Sequence, residues 1–275
     1  MIRIYLTTIA LIICSFLNAQ GWQPAGARSM SMANSTVALA DVWSYHHNPA
    51  GLAFVKSTSA GLSYENRFLL KELQSQGAVV AHPLKVGVIS AGAQMYGYRA
   101  YRTTRVGLGY SMLLGQNISA GVQLNYQGMR IDNYGSKGTV TAEAGILAKI
   151  NPKISLGFSV MNIGMAKLSE FEDDRFSTYM RLGLNYQISS KVAILAEIDK
   201  SIESKLRVKA GMEYELLDRF FLRLGAASSP TEITFGIGYE FKNRLKIDMG
   251  SAWQQHLGWS PHFGLTYEIL NKKND

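Results

Sequence analysis

Cysteine is nearly missing from this chain. The single one, Cys14, lies within the first twenty residues. That stretch, "MIRIYLTTIALIICSFLNAQ", sets Arg3 before an apolar run from Ile4 to Leu17 and then a small Ala19. This is the layout of a secretory signal peptide, taken as residues 1–19. Ile13, just ahead of Cys14, is too large for a lipoprotein site. The exported part would begin near Gln20 and carry no cysteine, which argues against a small disulfide-stapled domain. Long apolar runs are missing too. After the leader, none reaches the roughly 20 residues that a spanning helix needs, so a helical membrane protein is excluded. Charge is scarce, at 17% against roughly 25% in ordinary soluble domains. The Lys and Arg residues behind the net charge of +8 are scattered rather than clustered, which argues against nucleic acid. No Gly-rich phosphate loop, HExxH or CxxC occurs, so no cofactor or metal is expected.

What is present is apolar: 47% hydrophobic residues, 26 Gly and 14 Tyr. From about residue 58 to 269 the chain alternates with period two. In "LRVKAGMEYEL" (206–216), Leu206, Val208, Ala210, Met212, Tyr214 and Leu216 share one face. In "EITFGIGYEF" (232–241), Ile233, Phe235, Ile237, Tyr239 and Phe241 do the same. Alternation means strands with two unlike faces. Many run about ten residues, which suits a tilted membrane strand better than a soluble one. Tight turns such as "NPK" (151–153) and "LDR" (217–219) alternate with longer segments at 96–104, 131–138, 162–176, 199–205 and 253–262. Tyr110, Tyr186, Tyr214 and Tyr239 each stand a few residues before a tight turn, and Tyr267 holds the matching place near the end. They read as an interfacial aromatic girdle. The expectation is an all-β protein: an antiparallel transmembrane barrel of about fourteen strands, or twelve if a hairpin in 58–98 is irregular. It would span 57–270 with a tail at 271–275. Its tight turns and both termini would face the periplasm of a Gram-negative outer membrane.

The polar face then points inward. It carries Arg105, Glu143, Arg181, Glu197, Arg207, Lys209, Glu213, Arg223, Glu240, Lys246 and Asp248. Both signs mix, so structural ion pairs are expected ahead of a selectivity filter. The same face is rich in glycine, including Gly121, Gly145, Gly157, Gly211, Gly225, Gly236, Gly250 and Gly264. Inward glycine marks the close approach of something else. Residues 20–56 precede the alternation and could be that body, a hatch or plug. A helix is expected over 29–41 with Ser29 as its N-cap. His46 and His47, as neighbours on an extended chain, would point apart and could not easily share a metal.

"GARSMSMANSTVALADVWSYHHNPAGLA" (26–53) resembles the start of mature FadL-like outer-membrane proteins. That group includes the FadL long-chain fatty-acid transporters and the PorV/PorQ proteins of Bacteroidetes. Gly26, Ala27, Arg28, Ala38, Leu39, Ala40, Asp41, Asn48, Pro49, Ala50, Gly51 and Leu52 match the pattern. The resemblance implies a 14-stranded barrel with an N-terminal hatch, and it makes Asn48, Pro49, Ala50 and Gly51 hatch residues. It also implies passive transport of a hydrophobic or small solute, with outer-membrane lipid and a hydrophobic ligand as partners. The alternative is an accessory barrel of type IX protein secretion, with secretion proteins as partners. An enzyme is not expected. The best residues for one, His256, Ser260 and His262 in a loop at 253–262, have no nearby acid.

Overall fold

The computed structural model describes residues 24–166, 176–202, 204–242 and 244–269. The leader, part of the 162–176 loop and the tail at 271–275 lie outside the described residues. Fourteen strands close into one antiparallel barrel in which every strand pairs with its sequence neighbours and β1 pairs with β14. The first seven are β1 (Thr58–Asn66), β2 (Gln74–Pro83), β3 (Val88–Gly97), β4 (Tyr101–Leu113), β5 (Ile118–Ile131), β6 (Gly135–Asn151) and β7 (Ile154–Met161). The rest are β8 (Tyr179–Ser189), β9 (Val192–Ser201), β10 (Arg207–Leu217), β11 (Phe220–Ala227), β12 (Glu232–Glu240), β13 (Leu245–Gln254) and β14 (Gly258–Ile269). Closure leaves no unpaired edge, which is what allows strands to stand in hydrocarbon.

The alternation sorts side chains as the pattern requires. Leu62, Leu108 and Leu124 project outward and are 59%, 70% and 62% exposed, while their inward neighbours are polar or glycine. Tyr110, Tyr186, Tyr239 and Tyr267 stand outward at one depth, near the tight turns. That end of the barrel, where β1 starts and β14 stops, is called the turn end.

At the opposite, loop end the connections are shorter than expected. β5 stops at Ile131 and β6 resumes at Gly135, so most of 131–138 is strand rather than loop. Likewise β3 and β4 are separated only by residues 98–100, and β13 and β14 by 255–257. In β5–β6 the hairpin continues where the apolar outward row lapses into Gly128, Arg130, Ser136 and Gly138. Backbone pairing still satisfies the ladder there, but no alternation announces it.

Residues 24–57 lie before β1. They form a short helix α1 (Ala27–Met30), a run of turns, a second helix α2 (Ser44–His47) and a 3₁₀ turn at Pro49–Phe54. The helix expected over 29–41 is corrected: it ends at Met30, and Gly26, not Ser29, precedes it. Small polar residues break it by turning back on the backbone. Ser31 Oγ donates to Ala27 O and Ser35 Oγ to Met32 O, while Ala33 and Asn34 adopt left-handed φ of 52° and 56°.

Candidate functional site

Segment 24–56 lies across the lumen at mid-depth, and all fourteen strands bring a residue against it. Twelve do so with glycine. A methyl group on Gly61 would meet the Trp43 ring at 2.7 Å, one on Gly77 would meet Ala25 Cβ at 3.0 Å, and one on Gly264 would meet Ala27 Cβ at 2.9 Å. Gly92 faces Tyr45, Gly121 faces Pro49, Gly145 faces Asn48, and both Gly157 and Gly183 face Val37. Gly211 and Gly225 face Met32, while Gly236 and Gly250 face Ser31. The other two strands contribute Ser111, whose Oγ donates to Pro49 O at 2.6 Å, and Glu197, which accepts from Val37 N at 2.9 Å. The register aligns the glycines in cross-strand pairs: Gly121 with Gly145, Gly157 with Gly183, Gly211 with Gly225, and Gly236 with Gly250. The wall thus gives up its side chains along one band, and backbone fits against backbone there.

The four residues taken as the hatch motif build one local knot. Asn48 caps the 3₁₀ turn through Ala50 N at 3.1 Å, with Pro49 at the first position, where its missing N–H costs nothing. The Asn48 amide also donates to Val37 O within the segment and to Ile146 O on β6. Gly51 sits under Leu39 O and Ser44 Oγ, each 2.5 Å from where a Cβ would be, so no larger residue fits.

The eleven inward charges fall into groups of ion pairs. Arg105 meets Glu143 at 2.6 Å. Arg181 meets Glu197 at 2.8 Å, and Lys209 bridges Glu197 at 3.1 Å and Asp199. Arg223 holds Glu213 and Asp248, both at 2.6 Å. Arg207 faces Glu232 at 3.5 Å, and Lys246 lies between Glu240 and Glu268. Two of these groups hydrogen-bond directly to the segment. Arg28 links Asp41 at 2.8 Å to Glu213 at 2.6 Å, and Arg181 also donates to the carbonyls of His47 and Asn34. Sequence reasoning missed Asp199, Glu232 and Glu268. Parity would have found the last two, whereas Asp199 fell inside a stretch read as loop.

His46 and His47 are helical rather than extended, and both are buried. Burial, with Arg105 adding, pushes His46 down to about 3. Burial and then Arg181 hold His47 well below the usual histidine range, although its Nε2 lies 2.8 Å from Ala25 O. Ser260 and His262 are not in a loop: both are buried on β14 and point inward. Ser260 Oγ accepts from Phe68 N and His262 Nε2 lies 3.0 Å from Ser31 Oγ, while His256 stands in the turn before β14. Ser260 and His262 thus serve two different contacts with other parts of the chain.

The segment's two sides are held differently. Toward β1–β3 an apolar cluster joins Ala25, Val42, Trp43, Tyr45 and Leu52 to Val79, Ala81 and Val88. Toward β7–β13 the contacts are mostly polar, including Ala33 N to Thr234 Oγ1 at 2.9 Å. On the turn side two cavities of about 770 and 400 Å³ flank the segment, and Arg28 and Glu213 line both.

No protein-family profile matches the chain, and no curated protein does. Solved structures do match. A Pseudomonas aeruginosa FadL homologue superposes with a TM-score of 0.66 at 13% identity, over 91% of this chain and 100% of that one. The CymD monoaromatic hydrocarbon channel gives 0.69 at 11%, over 90% and 98%. The Ralstonia pickettii toluene transporter TbuX gives 0.69 at 11%, over 92% and 100%. At these identities the likeness is one of fold: the chain has the 14-stranded barrel of FadL-type outer-membrane channels.

Proposed function

We propose that the chain is an outer-membrane transporter that passes a small apolar solute down its gradient, with residues 24–56 as its plug and its turn end in the periplasm. The observation that carries this reading is the glycine band: a wall that omits side chains on twelve strands is shaped to a body in the lumen. The outward belt of Leu, Ile, Val and Phe supports the membrane location, since water does not tolerate an apolar surface of that extent. The inward charges neutralise one another, so they brace wall and plug rather than select ions. An apolar solute agrees with the fold's neighbours, two of which are named for toluene and monoaromatic hydrocarbons. The secretion-accessory reading has the short loops and the paired lumen charges in its favour, but none of the fold's neighbours supports it.

The test pairs the full chain with a variant lacking residues 24–56, both reconstituted in planar bilayers. The variant should fold as a barrel and conduct more. Unchanged conductance in a folded deletion variant refutes the plug. Equal toluene uptake by cells with and without the full chain refutes transport.

A further inference from the structure

The outer wall is not uniformly convex. On the lipid side of β1, β2 and β3, the residues at mid-depth are Ala60, Ala78, Ala91 and Ala93. They are neighbours in register: Ala60 lies opposite Val80, Val80 opposite Ala91, and Ala78 opposite Ala93. Bulkier side chains stand on both flanks, Leu108 and Leu124 on one and Leu265 and Tyr267 on the other. The result is an open apolar recess of about 1120 Å³, just above the range of roughly 300–1,000 Å³ for ligand pockets.

One end of this recess is polar. Two residues beyond Val80 on the same outward row stands His82, and two before Ala60 stands Thr58. Thr58 Oγ1 and His82 Nδ1 lie 2.8 Å apart, which leaves His82 Nε2 to meet a further group. Lys85 follows at the exposed tip of the β2–β3 turn. Tyr110, whose hydroxyl donates to Val86 O, marks the headgroup level on one side, and Tyr267 marks it on the other. A hydrogen-bonded histidine and threonine on a lipid-facing row would be costly in hydrocarbon, but they are favourable against a phosphate. Beyond the loop end of the recess, the outward positions on β1 and β3 are Tyr64 and Met95, which offer no cation.

We infer that this recess seats one glycerophospholipid, with an acyl chain along the alanine floor and its phosphate at Thr58, His82 and Lys85. The inference rests on the membrane location but not on transport, so loss of either leaves the other standing. Native mass spectrometry after gentle detergent extraction tests it. The full chain should retain one phospholipid. Filling the floor with the double substitution Ala91→Leu and Ala93→Leu should lower retention roughly tenfold. His82→Ala with Lys85→Glu should weaken add-back of phosphatidylglycerol but not of a phosphate-free alkyl glycoside. Heat-modifiable migration on gels confirms that each variant is a folded barrel. If the leucine variant fails to fold, the add-back comparison on the wild-type chain decides by itself: equal uptake of both amphiphiles overturns the site. Equal lipid retention by the wild-type and filled chains, lipid A in place of phospholipid, or a lipid-free dimer through this face would overturn it as well.

Discussion

Acid should unseat segment 24–56, and the two buried histidines set the scale. His46 titrates near 3 in the seat and His47 lies well below its usual value, whereas either would titrate near 6.5 once released into water. The seated form therefore binds fewer protons than the released form across that window. Seating is at full strength above about pH 6.5 and weakens as pH falls toward the seated pKa. Each pH unit below 6.5 costs up to about 1.4 kcal/mol per histidine. At pH 5 that is roughly 2 kcal/mol for His46, or about thirtyfold in the released population, and His47 adds to it in the same direction. The wall reinforces this, because Arg105 faces His46 while Arg181 and Lys209 face His47. The carboxylates that face these cations are Glu143, Glu197 and Asp199. The assay is open probability of the full chain in planar bilayers from pH 7.5 to 5. It should rise steeply in the wild type and stay nearly flat in the double variant His46→Gln, His47→Gln. The same steep rise in that variant would assign the effect to the wall carboxylates and refute the reasoning. So would a flat wild-type profile.

Gly157→Val should unseat the segment at neutral pH, because its Cβ would press on the backbone of Val37 and Ala38, at a cost of about 1–3 kcal/mol. Gly115→Val, in a turn where nothing lies within 4 Å, should leave conductance unchanged. Arg181→Leu should destabilise seating by about 3–5 kcal/mol, since Glu197 loses a buried partner and two segment carbonyls lose their donor. Its readouts are thermal unfolding and conductance, and a change below 1 kcal/mol would refute that assignment. Hydrogen exchange should be faster at Ala33 N and Val37 N than at Tyr45 N and Asn48 N. The first two donate to wall side chains that water can replace, while the second two donate to backbone carbonyls within the segment, Val42 O and Ser44 O, and Tyr45 belongs to the apolar cluster. The reverse order would mean that the segment opens from its β1–β3 side.

The wall was legible because a half-buried strand carries its face assignment in every second residue. Leu206 to Leu216 and Ile233 to Phe241 stand outward as their parity requires. Legibility failed where that contrast fades. Asp199 and residues 135–138 lie where the apolar outward row lapses, so they read as loop. The lumen charges were found as a set but not as pairs. Parity gives a residue's side of the sheet, whereas Arg181 meets Glu197 across a strand pair and Arg28 meets Glu213 across 185 positions of sequence. The segment was hardest to read, for a different reason. Its conformation is dictated less by its own propensities than by the wall. Small residues from Ser29 to Ala40 would suit a helix, yet Thr234, Glu197 and Arg181 take the backbone groups that a helix would use. The inward glycines did announce a close approach, because only a missing side chain admits another backbone there. Which backbone it is depends on how the closed ring brings β7 and β8 to Val37 while β5 and β6 reach Pro49 and Asn48, and that follows from closure rather than from any local run of residues.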